Sequence, residues 1–404
     1  MMLKIAFRNI FRQKRRTILT ALTMFGGFIL AAISIGWSDG TYEFVINMFT
    51  RNRLGHIQIH YQDYRSRASI FKTIDNYKQI GQKLAAVDQV QYWTPRLFSG
   101  GLVSVDEKST GASITGVDPT REDETTRFSK QIKKGKILPA NPSHQAVLGI
   151  GLAEVLEADV SDTVIVVSQA ADGSIANDLY KISGIIESGD IISDRMTMYL
   201  HLADAQELLA LQGQVHEIAI IVSKLDEVDE VSEKIQSALN DPNLEVAPWQ
   251  VFAKSFYQAM QADQEGMWIS LFVIILIVAV GILNTVLMSV LERRREYGLL
   301  KAIGTKPKQI FQLVLSEVTI LAVASIIVGA VLGSLANYAL SHQGIALPQA
   351  FTYGGIEFTK MYSTVNARSL YLPAATVLIT AIIVSTFPAI RAAKSDPAKA
   401  MRIH

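Results

Sequence analysis

The sequence predicts a membrane protein with four transmembrane helices, one plus three, and a large α+β extracytoplasmic domain between helices 1 and 2. A helix needs about 20 largely apolar residues to cross a bilayer. Four windows meet that length: Thr17 to Trp37, Met267 to Leu291, Ile310 to Leu340 and Ser369 to Ile390, and only the third holds a charge, Glu317. The stretch from Ser38 to Gly266 between the first two is ample for one or two folded domains. Hydrophobic residues make up 49% of the chain and its mean hydropathy is +0.24, high for a water-soluble protein and low for one wholly in lipid.

Taken in order, residues 1–16 form a basic amphipathic segment in which Leu3, Ala6, Phe7, Ile10 and Phe11 stand against Lys4, Arg8 and Arg12, a pattern suited to the headgroup plane. Residues 17–37 are the first span. Its apolar run is longer than a secretory signal core, and Trp37-Ser-Asp-Gly offers no small-x-small cleavage site, so the span is read as retained. Residues 38–266 form the domain, 267–291 the second span, 292–308 a basic elbow, 309–340 the third span, 341–368 a short loop, 369–390 the fourth span and 391–404 a basic tail.

Orientation follows from lysine and arginine beside the spans. Lys4, Arg8, Arg12, Lys14, Arg15 and Arg16 precede the first span, Arg293, Arg294, Arg295, Lys301, Lys306 and Lys308 fill the elbow, and Arg391, Lys394, Lys399 and Arg402 mark the tail. All three regions, with both termini, are therefore expected on the cytoplasmic side, and the domain, with roughly 20 basic and 32 acidic side chains, on the other. The net charge of +1 conceals that division. No nucleic-acid partner is expected.

Within the domain, alternation at His56-Ile-Gln-Ile-His60 reads as a strand with both histidines facing solvent. A helix is expected from Asp75, as its cap, to Val87. Further strands fit Gly101 to Val105, Ala112 to Val117, Thr163 to Ser168, Tyr180 to Ile186, Met196 to His201 and Glu217 to Val222. Helices fit Leu152 to Ala158, Ala203 to Leu211 and Glu227 to Leu239, and Asp172-Gly173 reads as a hairpin tip. Asp39 to Arg51 and Trp249 to Gln264 read as helical stalks continuing the first two spans.

The sequence holds little catalytic chemistry. Gly111-Ala-Ser-Ile-Thr-Gly116 has phosphate-loop glycine spacing, but Val117-Asp118 stands where Lys-Ser/Thr is needed. No HExxH occurs, the 7 histidines lack metal-ligand spacing, no span carries an aspartate, and the absence of cysteine excludes thiol chemistry. A non-catalytic chain is expected.

What remains is mechanical. In the elbow, Tyr297, Leu299, Leu300 and Ile303 lie near helical spacing beside arginines, Gly304 suits a C-terminal cap and Pro307 stops continuation. An interfacial anchor and a helix docking into a partner's cleft both fit this pattern.

The run Met288-Ser-Val-Leu-Glu-Arg-Arg-Arg-Glu-Tyr-Gly-Leu-Leu-Lys-Ala-Ile-Gly-Thr-Lys-Pro-Lys-Gln-Ile310 and the ending Phe387-Pro-Ala-Ile-Arg-Ala-Ala-Lys-Ser-Asp-Pro-Ala-Lys-Ala-Met-Arg402 resemble the permease family containing MacB, FtsX and the lipoprotein-releasing permeases LolC and LolE. Ile114-Thr-Gly-Val-Asp-Pro119 and Val147-Leu-Gly-Ile-Gly-Leu-Ala153 resemble the domain of the lipoprotein-releasing type. The resemblance spans the whole chain. It implies a bacterial inner-membrane permease, paired with a second permease, identical or paralogous, on a cytoplasmic ABC ATPase dimer. That partner binds ATP and Mg, and this chain needs no cofactor of its own. MacB carries its ATPase on the same chain and no nucleotide domain stands here, so the lipoprotein-releasing type is favoured.

The resemblance also assigns candidate sites. The coupling helix comprises Glu292, Arg293, Arg294, Glu296, Tyr297, Leu299, Leu300, Ile303 and Gly304. A cavity for lipidated or amphiphilic substrate would be lined by Met24, Phe28, Ile33, Trp37 and Met48 with Phe256, Met260, Met267, Trp268 and Phe272, since methionines and aromatics adapt to acyl chains. Ordinary helix packing explains the same residues. A hook for a periplasmic carrier or adaptor would be the hairpin holding Gln169, Asp172, Gly173 and Ile175, here short and without proline. A MacB-like exporter subunit and an FtsX-like regulator of a cell-wall hydrolase remain open. Gly329-Ala-Val-Leu-Gly333 permits close helix approach, within the chain or between copies. Asn284 and Glu317 are polar within spans.

Overall fold

A computed structural model describes residues 6–9, 12, 14–353 and 356–395, with the side chains of 350–357 left aside. Leu3, Lys4, Ile10 and Phe11 of the amphipathic segment, and 396–404 of the tail, lie outside the described residues. In chain order the elements are α1 (Lys14–Phe49), β1 (Ile57–Tyr61), β2 (Ile74–Asp75), α2 (Tyr77–Ala85), β3 (Val90–Val105), β4 (Lys108–Val117), α3 (Pro119–Thr126), β5 (Ile132–Gly135), β6 (Gln145–Gly149), α4 (Ile150–Leu156), β7 (Thr163–Gln169) and β8 (Ile175–Ile186). Then come α5 (Ile191–Asp194), β9 (Thr197–His201), α6 (Leu202–Leu208), β10 (Gln214–Val215), β11 (Glu217–Val222), α7 (Val228–Leu239), β12 (Leu244–Pro248) and α8 (Trp249–Phe252). The chain closes with α9 (Lys254–Glu292), α10 (Arg294–Ala302), α11 (Pro307–Gln343), the paired strands β13 (Ile345–Tyr353) and β14 (Ile356–Met361), and α12 (Arg368–Ala393). Helices α1, α9, α11 and α12 are long and apolar enough to cross a membrane.

Two compact units result. One comprises Met1–Phe44, Met260–Leu347 and Lys360–His404, the other Val45–Ala259 with Pro348–Thr359.

The second unit is built on one continuous network of strands. β12, β1, β11 and the first half of β3 form an antiparallel sheet, and Arg96 to Val105 of β3 then pairs with β4. β4 runs parallel to β9, β9 antiparallel to β6, β6 parallel to β8, β8 antiparallel to β7, and β7 returns to β3 through Gly101 to Ser104. Six strands thus close on themselves, which removes their free edges. Strand β3 is long enough, at 16 residues, to belong to both the open sheet and the ring. Alternation fills the ring: Val164, Val166, Tyr180 and Ile182 are buried while Ile165, Val167 and Leu179 are exposed.

Two expectations about this unit fail. His56 and His60 are buried, not solvent-facing, because β1 is covered on both of its faces, its first four residues all being buried. His60 Nδ1 lies 3.1 Å from the His216 carbonyl, and its Nε2 lies 3.1 Å from Gln58 Oε1 and 3.4 Å from Glu217 Oε2. Glu217 also accepts from Arg96 at 2.9 Å, and Arg96 holds Glu122 with two bonds of 2.6 and 3.1 Å. Every group in this buried cluster is partnered, as burial of charge demands. Nor does Asp75 cap a helix: it pairs in β2, and α2 starts after Asn76, whose φ of 56° turns the chain without a side-chain cap. Residues 111–117, the would-be phosphate loop, lie within β4.

In the membrane unit, small residues let helices approach, the main route to association where lipid offers no hydrophobic contrast. A Cβ on Gly27 would stand 2.1 Å from Val278, one on Gly281 2.5 Å from Thr23 and one on Gly329 2.7 Å from Phe28. Gly329 and Gly333 therefore face the first span of their own chain, against Phe28 and Ala32.

Candidate functional site

The second and third spans meet in an elbow made by three local events. Arg293, at φ −90° and ψ 13°, interrupts the helix between α9 and α10. At the other end Gly304 has φ +102°, a conformation that favours glycine, donating to the Lys301 carbonyl at 3.0 Å while Thr305 donates to the Leu300 carbonyl at 3.0 Å. Those two bonds form the paired closure of a Schellman cap. Pro307 then opens α11, and Gln309 Oε1 accepts from the Lys306 amide at 2.9 Å.

Electrostatics fix the elbow to the spans. The Arg293 guanidinium donates to Glu317 of α11 at 2.7 Å and to Glu296 at 3.0 Å, and the Asn9 amide donates to the other Glu317 oxygen at 2.7 Å. Side-chain exposures of 8% for Arg293 and 14% for Glu317 place this pair away from water. Arg16 of the first span pairs with Glu292, and Lys301 donates to the carbonyls of Ala393 and Ser395 at 3.2 and 2.7 Å, where cations suit the end of α12. Glu317 therefore ties the elbow to α11 through Arg293.

The nine elbow residues singled out from the sequence divide into three sets. Arg293 and Tyr297 are buried, and Leu300, partly buried, packs on the core. Arg294 and Glu296 are intermediate. Glu292, Leu299, Ile303 and Gly304 are exposed, with Leu299 at 58% and Ile303 at 73%. Leu299 and Ile303, one turn apart, give the elbow an open apolar ridge.

A second constellation sits at the domain-side end of the first span. Asp39 accepts from Asn366 at 2.8 Å and from Arg368 at 3.0 Å, the Gly36 carbonyl accepts from the Thr364 amide at 2.9 Å, and Thr41 donates to the Tyr362 carbonyl at 3.2 Å. One turn below, Asn337 of α11 donates to the Ala32 carbonyl at 3.0 Å and accepts from Ser363. Gly36 and Gly40 make room, since a Cβ on either would fall within 2.4 Å of Asn337 or Ser363.

The ten cavity candidates divide between the two units, Met48 and Phe256 in one and the other eight in the other. Met24 and Phe28 are fully buried in the four-helix core, and Met267 packs with Ala31, Ile35 and Leu271. Met260 is buried, Ile33 intermediate, and Trp37, Trp268 and Phe272 are exposed. In the other unit Phe256 stacks on Phe49 at 4.1 Å, and Met48 Sδ accepts from Asn52 at 3.4 Å. The hairpin forms as expected: Gly173 takes φ +85°, Gln169 pairs with Ile175, and Asp172 accepts from the Ser174 amide and hydroxyl, which hold its carboxyl below the usual range. Ile175 is 81% exposed. Sequence reasoning missed that Leu102, Ile165, Val167 and Leu179 extend this apolar face across β3, β7 and β8. The period of two in Thr163 to Gln169, apolar on both faces, carried the signal.

One apolar helix, a folded α+β insert and three further apolar helices joined by a basic elbow define a permease subunit of the ABC type. Residues 17–238 match the family described as the MacB-like periplasmic core domain, and residues 268–397 match the FtsX-like permease C-terminal family. The lipoprotein-releasing system transmembrane protein LolC of Xylella fastidiosa is 23% identical over 73% of this chain and 74% of that protein. LolC of Neisseria meningitidis serogroup B is 21% identical over 89% and 86%. The periplasmic region of MacB from Actinobacillus actinomycetemcomitans superposes with a TM-score of 0.36 and 15% identity, covering 50% of this chain and 92% of that one. The chain belongs to the family of MacB-like and FtsX-like ABC transporter permeases.

Proposed function

We propose that the chain is the permease subunit of a mechanically acting ABC complex in the inner membrane, with termini and elbow in the cytoplasm and the large domain in the periplasm. A separate ATPase dimer binds ATP and Mg, grips the elbow, and drives periplasmic movements that extract or release lipoproteins or other lipidated, amphiphilic substrates. The observation that carries this reading is the exposed ridge of Leu299 and Ile303 on an elbow whose other face is locked to the spans through Arg293 and Glu317. A helix that only anchored itself in headgroups would not need a buried ion pair to fix its angle. The similarity to LolC supports the substrate class, and the exposed hairpin around Ile175 supports a site for a periplasmic carrier.

The test is purification of the tagged full chain in mild detergent, with mass spectrometry of what accompanies it. An ABC ATPase and an acylated protein are expected. Leu299→Asp with Ile303→Asp should release the ATPase while leaving the chain inserted, because both side chains already face outward. An ATPase still bound to that double variant, or full activity of the chain alone, would refute the reading.

A further inference from the structure

One face of four neighbouring strands in the domain is polar although it is covered. Register sets Arg96 beside Glu217, Phe98 beside Thr115 and Thr115 beside Tyr199, and the period of two adds Ser113, so these side chains share one side of β3, β4, β9 and β11. The other side is ordinary core, with Leu97, Ile114, Met198 and Ile218 fully buried. Over the polar side lie α3, the turn at 128–131 and the turn at 50–54 that follows α1. Gln131 ties them together, its Nε2 donating to the Asn52 and Thr126 carbonyls at 3.0 Å each. They do not fill the space: a cavity of about 260 Å³ remains.

Thr115 shows that the cavity is built for an occupant. It lines the cavity and is 6% exposed, yet its hydroxyl has no hydrogen-bond partner among the described residues. Valine has the same shape and would carry no such cost, whereas a buried hydroxyl needs a partner.

Charge and shape decide what that occupant is. Arg96 spends three of its five N–H groups on Glu122 and Glu217, so the buried cation and both buried carboxylates are already matched. An anion would meet two glutamates and a cation would meet Arg96, while a zwitterion finds neither charge free. Hydrogen-bonding capacity remains at Thr115, at the carboxylate lone pairs and at two N–H groups of Arg96. Phe98, Phe128 and Tyr199 add ring surface, with Phe128 edge-on to Tyr199 at 4.9 Å. A cavity of about 150 Å³ accepts one benzene ring, so this one holds a six-membered ring with its substituents.

We propose that this cavity binds a small neutral polyhydroxylated ligand of monosaccharide size, its hydroxyls meeting Thr115, Arg96 and Glu122 and its C–H face meeting the aromatic rings. The site shares no residue with the elbow, the hairpin or the acyl-chain candidates. Because Asn52 and Arg53 line it, an occupant would brace the turn that follows α1 against β3.

The test is titration of the full chain, in lipid nanodiscs free of sugar-based detergent, with glucose and with N-acetylglucosamine, followed by saturation-transfer NMR. At least one of the two should bind saturably at one site per chain. Thr115→Val should weaken that binding about two- to twelvefold, the range of one hydrogen bond, with a melting temperature no lower than that of the natural chain. Ser113→Leu, which occupies the space, should abolish it in a chain that still melts cooperatively, and if that variant does not fold, Thr115→Val decides. Glucuronate and glucosamine, charged analogues of opposite sign, should bind more weakly than the neutral sugars. Failure of both neutral sugars to bind, which would leave the cavity to water only, unchanged affinity in Thr115→Val, or a charged analogue held as tightly overturns the proposal.

Discussion

Removing one partner of the Arg293 and Glu317 pair should reveal how the elbow is held. In Glu317→Ala the guanidinium keeps Glu296, whose side chain is 40% exposed, but loses its 2.7 Å contact in surroundings where it is only 8% exposed itself. Breaking a buried pair costs about 3 to 5 kcal/mol, and the surviving Glu296 contact should reduce that to about 2 to 3 kcal/mol. Arg293→Ala leaves Glu317 with Asn9 and should lose a similar amount. Because both single variants break the same bond, the double variant should lose less than their sum, with a coupling energy of about 1 to 2 kcal/mol. The assay is unfolding of the full chain in detergent, followed by tryptophan fluorescence, for the four members of the cycle. Coupling below about 0.5 kcal/mol would mean that the two side chains act independently and that the elbow is not locked by this pair.

Acid should weaken the domain through His56. Its Nδ1 accepts from the Val222 amide at 3.2 Å, and burial, helped by Arg51, pushes its pKa down from 6.5 to about 4. Above pH 6.5 the ring is neutral in folded and unfolded chains alike and stability is complete; below it the unfolded chain takes up a proton that the folded chain refuses, so about 2 kcal/mol should be gone by pH 5 and about 3 kcal/mol by pH 4. Denaturation midpoints at pH 7 and 5 check this, and His56→Gln should flatten the difference. Asp39→Ala, which orphans Asn366 and Arg368, should lower ATP-driven activity of the assembled complex more than it lowers the basal ATPase rate, and equal losses in both would contradict a role in transmission. Gly329→Leu should destabilise the bundle by about 2 kcal/mol or more, since Phe28 cannot retreat from a position with no exposed surface, and an unchanged unfolding midpoint would show otherwise.

Spans, elbow and hairpin were legible because each leaves a local mark: long uncharged windows, a run of arginines before a glycine and a proline, and Asp-Gly between alternating runs. The closed ring of six strands was not, since its closing pairs join β3 to β7 and β4 to β9 across long stretches of sequence that carry no trace of register. His56 and His60 misled because alternation reports which residues share a face and not whether that face is covered. Tyr297 and Leu299 looked equivalent by spacing, yet they point to opposite sides of a short helix whose orientation is set by Arg293 and Glu317, 24 positions apart. Phe28 is a candidate for a substrate lining by residue type, but the glycines it packs against, Gly329 and Gly333, sit on the third span, where single-sequence patterns cannot place a contact.

The first span is fastened at both extremities, by Arg16 to Glu292 and by Asp39 to Asn366 and Arg368, with Asn337 gripping it between. A shift of one residue along its axis, about 1.5 Å with a 100° twist, would undo all of these at once. Piston and screw strokes of the first span alone are thereby opposed. A tilt that carries the neighbouring helices along, the stroke of a lever, is the movement that would keep these bonds.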